Sequence, residues 1–313
     1  MDRPTTAERT TSARGVAWAT ASACAFSLSA VVGKDLLGAL GVASLLFWRF
    51  LLASAVLWAI LAVRRRRGGP DPFSAPWPLL VSLGGLFGVM VLVGFAALDR
   101  LDASVYIVIF YVYPALVVLG SMALGHRLDR VTALALALVT TGVVLTVPEA
   151  LTGTGEFGLT GVLLALAQAV LFAAYMVLHG HFVPSGVDSL VIATWNTVGA
   201  GLVVTPFAFV GGLITPQSSS LVLEVILFAL IPTVAATTFL LHAMGSIVPR
   251  VAAMIMTLEV VLAIVWSVLF LGEEVGWIEW LGALVVVAGV VLAQRPGLSD
   301  PEPPEAPVRP HAA

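Results

Sequence analysis

The chain has 313 residues, 59% of them hydrophobic and 11% charged, with a net charge of −3. A soluble domain is about half apolar and a quarter charged, so this composition speaks against a soluble fold and for a polytopic membrane protein. The single cysteine, Cys24, excludes an internal disulfide and a cysteine-based zinc site.

Residues 1–13 are polar and rich in Thr and Arg, and read as a disordered tail. Ten apolar segments follow, at about 14–33, 40–63, 77–97, 102–123, 129–148, 157–180, 188–212, 220–242, 248–271 and 275–294, each close to one bilayer crossing in length. The first follows a polar tail without a small-residue cleavage site, so it reads as a span and not a secretory signal. Breakers such as Gly68-Gly69-Pro70-Asp71 and Pro184-Ser185-Gly186 mark short connections. Residues 295–313 are Pro-rich and read as a second disordered tail.

Charge sets the expected orientation. With the N-terminus in the cytoplasm and ten alternating spans, the quartet Arg64–Arg67 and most other basic residues fall inside, while Lys34 and Arg100 fall outside. Both termini are then cytoplasmic, in what reads as a bacterial inner membrane.

The two halves repeat. Gly15-Val16 opens span one as Gly161-Val162 opens span six, and Phe26 meets Phe172 at that offset. Gly142-Val143-Val144-Leu145 recurs as Gly289-Val290-Val291-Leu292. The expected units are 14–148 and 157–294. Five spans is an odd number, so the second unit enters from the opposite side, an inverted repeat that places a site between the halves.

Two charges lie deep in the apolar runs. Glu259 is roughly 13 Å into the run that starts at Val251, at 1.5 Å rise per residue. A carboxylate there costs on the order of 2–3 kcal/mol, so it needs a partner, a proton or a wet cavity. Arg49 reaches a similar depth from the opposite side. The pair is expected to face one polar cavity, where direct contact would offset part of the cost.

These features resemble the drug/metabolite transporter superfamily, and within it the EamA family. Leu258-Glu259 followed by Leu271-Gly272-Glu273-Glu274 is similar to the family's L-E-P-x(n)-L-G-E pattern, with Val260 in place of Pro. The first unit has Pro114 and Leu124-Gly125-His126, with His126 in place of Glu, and Phe47-Trp48-Arg49-Phe50 resembles F-x-R-F. The resemblance implies an all-α membrane protein of ten helices, two inverted five-helix repeats around a central cavity. It implies transport of amino acids, metabolites or drugs.

Helical spacing nominates the lining. Gln168, Phe172, Tyr175 and His179 share one face of span six, and their mates on span one are Ser22, Phe26, Ser29 and Gly33. Tyr106, Phe110 and Tyr113 share a face of span four, which Pro114 is expected to kink. Trp195 and Asn196 are adjacent in span seven, and Trp266 follows Glu259 by two turns. The expected substrate-binding set is therefore Arg49, Tyr106, Phe110, Tyr113, Gln168, Phe172, Tyr175, Trp195, Asn196 and Trp266, with Glu259 as proton carrier. Arg49 reads as a carboxylate clamp, as a counter-charge for Glu259, or as a purely structural cap. Glu259 reads equally as interhelical glue. Thr233 and Thr237 are expected to repair the backbone bond lost at Pro232.

There is no P-loop, HExxH or G-x-S-x-G signature. The expectation is a gradient-driven or facilitated exporter of amino acids or related metabolites, not an enzyme, with no cofactor, metal or nucleic acid. Its partners are a small-molecule substrate and the bilayer, and a homodimer is compatible with the chain. An uptake permease or drug-efflux protein of the same fold is the alternative. An intramembrane enzyme or lipid-handling scaffold is the rival from another class.

Overall fold

The computed structural model describes residues 13–101, 106, 109–125, 130–145, 158–266, 268–269 and 276–293. The two tails, His126 and the Leu271-Gly272-Glu273-Glu274 motif lie outside the described residues.

Every described element is helical. In chain order they are α1 (Ala13–Arg66), α2 (Trp77–Leu98), α3 (Tyr113–Ala123), α4 (Arg130–Leu145), α5 (Leu159–Phe182), α6 (Ser189–Val210), α7 (Ser219–Ala229), α8 (Ala236–Met244), α9 (Pro249–Met256), α10 (Leu258–Trp266) and α11 (Trp277–Ala293). A π-helical turn, Leu230–Ala235, joins α7 to α8. Among the described residues, six helical stretches are long and apolar enough to cross a bilayer: Leu36–Arg66, Trp77–Leu98, Leu159–Phe182, Ser189–Val210, Ser219–Met244 and Pro249–Trp266. Three shorter apolar helices, Tyr113–Ala123, Arg130–Leu145 and Trp277–Ala293, accompany them.

Four breaks differ from the sequence expectation. The first two apolar runs were expected to separate near residues 33–40, but the helix continues to Gly41, whose φ of 66° only glycine adopts cheaply. Pro114 does not kink a long helix. It sits in the first turn of α3, where its missing N–H costs nothing. The eighth run carries the π-turn around Pro232. The ninth is interrupted at Thr257, two residues before Glu259, where the Thr257 hydroxyl donates to Met254 O at 2.6 Å. That bond competes with the helical ladder and favours a break.

Glycine lets helices of the two halves dovetail. A Cβ on Gly88 of α2 would lie 2.7 Å from the Ala200 backbone of α6. On Gly142 of α4 it would lie 2.6 Å from Val286 N of α11, and on Gly289 it would lie 2.9 Å from Val139 N. Backbones approach this closely only where side chains are absent, which is how membrane helices associate without a hydrophobic driving force. The outward faces carry large apolar side chains such as Leu202, Phe207, Val210 and Leu284. That suits a hydrocarbon surround.

Candidate functional site

A cavity of about 90 Å³ opens among the helices, with room for several waters. Phe26 and Ser29 line it from the first arm of α1, and Arg49 from the second. Phe87, Met90, Val91 and Phe95 come from α2, Tyr106 and Phe110 from the segment before α3, and Gln168 and Phe172 from α5. Met256 of α9 and Glu259 of α10 complete it. The deep acid and the deep base therefore share one chamber.

They do not form an ion pair. Arg49, 2% exposed, is built into the wall by the π-turn. Its Nε donates to Thr233 Oγ1 at 2.6 Å and its Nη2 to Pro232 O at 3.0 Å. Its guanidinium carbon lies 4.8 Å from the centroid of Phe228 and 5.7 Å from that of Phe95. A hydrogen bond to a charged group is worth about 1.5–3 kcal/mol, so two of them match the cost of about 3 kcal/mol for an arginine in a span. The expected contact with Glu259 is not needed to hold Arg49. The π-turn supplies the acceptor, because Pro232 has no N–H and the wider turn frees carbonyls from the ladder. Thr233 also reaches back to Phe228 O at 3.4 Å, the carbonyl left without a donor by Pro232. Thr237 Oγ1, expected to share this repair, has no partner.

Glu259 stands in the first turn of α10, where the helix dipole favours negative charge. Among the described residues no cation pairs with it. The buried Tyr111 hydroxyl is directed at its carboxyl group without closing a hydrogen bond of normal geometry. Tyr106 lies within electrostatic reach of both Glu259 and Arg49, and lines the cavity together with Gln168. Gln168 is 6% exposed, and its Oε1 has no donor among the described residues. It sits hard against Gly94, where any Cβ would collide with the amide.

Four rings run in file beside these groups. Tyr106 stacks on Phe110 at 6.0 Å and 2°, Phe110 on Phe172 at 5.7 Å and 21°, and Phe172 on Tyr175 at 6.4 Å and 12°. Tyr113 packs behind the file, 4.7 Å from Phe172, and its hydroxyl donates to Ala253 O.

Of the residues nominated from sequence, Arg49, Tyr106, Phe110, Gln168, Phe172 and Glu259 line the cavity. Tyr113, Tyr175 and Asn196 form its backing, where Asn196 Nδ2 donates to the Tyr175 hydroxyl at 2.7 Å. Trp195 and Trp266 lie elsewhere. Trp195 Nε1 donates to Pro72 O at 3.0 Å, and its rings pack against Trp58, Phe73 and Trp77. Two turns separate Trp266 from Glu259, and its Nε1 donates to Ser27 Oγ at 2.8 Å. The sequence reading missed Phe87, Met90, Val91, Phe95 and Met256. The first four lie on α2, which is apolar all round, so no periodicity picks out an inner face, and Met256 ends the short α9. The glycine at position 94 was the available signal, since it marks the face that Gln168 abuts.

A family model described as the EamA-like transporter family matches residues 13–147 and 159–294. The chain belongs to the EamA-like transporter family. It is a multi-pass membrane protein, and its family moves small molecules across membranes. A crystal structure of a protein, described no further, matches this EamA-like chain with TM-score 0.76 and 20% identity, over 89% of this chain and 96% of that one. At that identity the likeness establishes a shared fold. No curated protein matches the chain.

Proposed function

We propose that this EamA-like protein is a ten-helix exporter of amino acids or related amino-bearing metabolites in a bacterial inner membrane, with both termini cytoplasmic. Two inverted five-helix repeats, 14–148 and 157–294, alternate access to the cavity between them. One observation carries the reading: one cavity joins Arg49, Glu259 and Gln168 to a file of aromatic rings. Apolar walls with a few convergent polar groups suit a small organic solute. Polar groups at this depth mark substrate and proton routes in membrane proteins. Glu259 is the coupling group, because a proton and a cargo ammonium would exchange on the same oxygens. Helix breaks at Thr257 and at the π-turn stand beside the two charges, as discontinuous helices do at transport sites.

The test is counterflow in liposomes holding the purified full chain, with a panel of amino acids, sugar phosphates and drug cations. Accumulation of an amino acid driven by a pH gradient supports the proposal. Movement of a sugar phosphate with no amino acid would refute it.

A further inference from the structure

The cavity's polar groups are unevenly satisfied, and the imbalance has a direction. On the donor side, Arg49 already spends Nε on Thr233 Oγ1 and Nη2 on Pro232 O, and Phe228 covers its face. On the acceptor side, among the described residues, Gln168 Oε1 is buried without a donor and Glu259 has no cation. Buried acceptors without donors are costly, so a ligand that brings N–H groups and positive charge is favoured here. An ammonium brings three donors and no acceptor. The stacked rings of Phe110 and Phe172 supply an apolar wall beside these acceptors for the body of such a ligand. A carboxylate would meet the charge of Glu259 and an arginine whose inner edge is already occupied.

We propose that the cavity recognises its cargo by an ammonium group, held by Glu259 and Gln168 Oε1 with the apolar body against the Phe110–Phe172 wall, and that Arg49 is a positioning residue and not a carboxylate clamp. The cargo class is then primary amines with an apolar body, and an amino acid's carboxylate is tolerated without being read. The inference rests on the cavity being the transport site.

The test is calorimetric titration of the purified full chain with leucinamide, isoamylamine, leucine and isocaproate, which share one apolar body and differ in their charged ends. Leucinamide and isoamylamine should bind about tenfold or more tightly than isocaproate, a gap of about 1.4 kcal/mol. Glu259→Gln should weaken both amines by about tenfold or more, in line with losing a charge-assisted bond. Gln168→Met keeps the side-chain length and removes the acceptor. It should weaken the amines by about threefold or more in protein that stays monodisperse, which keeps the test available if the first variant fails to fold. Isocaproate binding as tightly as the amines would overturn the inference, as would amine affinities indifferent to both substitutions. Leucine binding with leucinamide silent would overturn it while leaving the amino-acid transporter standing. Silence from all four solutes would overturn both.

Discussion

Arg49 Nε donates to Thr233 Oγ1 at 2.6 Å, so a cation from the first half of the chain closes on a π-turn in the second half. The bond pins the irregular turn beside the cavity and fixes where the positive charge sits. Arg49→Lys should lower stability by about 1.5–3 kcal/mol, because an ammonium cannot span Thr233 and Pro232 O with the guanidinium's fork. Thermal unfolding in detergent measures this. An unchanged midpoint would mean that the clamp contributes nothing to the fold.

Glu259 tests the coupling mechanism. Glu259→Gln should abolish accumulation driven by a pH gradient, since an amide cannot carry the proton, while cargo exchange between equal pools persists only at cargo concentrations raised to match the weakened affinity. The paired measurement is uptake with and without a pH gradient in the same liposomes. Retained pH-driven accumulation would assign the proton to another group.

The dovetailed glycines are a packing test away from the cavity. Gly142→Val and Gly289→Val should each destabilise by about 3 kcal/mol or more, because the added side chain meets backbone and not a movable tip. Loss of folded protein in detergent is the expected readout. A control at Gly38, whose added Cβ would meet nothing within 4 Å, should change stability by less than about 1 kcal/mol.

Trp195 separates a supporting role from a binding one. Trp195→Phe removes the donor to Pro72 O and should cost about 1 kcal/mol in stability, leaving cargo affinity unchanged. A weakened KM with unchanged stability would return Trp195 to the binding site.

The depth of Glu259 and Arg49 in their runs was legible from residue counting, and so was the chamber they share. Their separate fates were not. Counting gives height along a helix to about a residue, but the direction a side chain takes around the axis depends on breaks whose position packing decides. Pro232 marks a lost backbone bond in the sequence but not the π-turn whose carbonyl Arg49 takes, and nothing in the sequence marks the break at Thr257, two residues before Glu259.

Local chemistry by itself determined the membrane class, the apolar runs and the two deep charges. Hydrophobic length, insertion cost and side-chain volume belong to individual residues and are written in the chain. The tertiary structure alone decided that Arg49 closes on Thr233 and Pro232 O, that Glu259 meets no cation among the described residues, and that Trp195 bonds Pro72 O and Trp266 bonds Ser27 Oγ. Those outcomes depend on which backbone carbonyls an irregular helix releases, and that is settled when distant helices pack together.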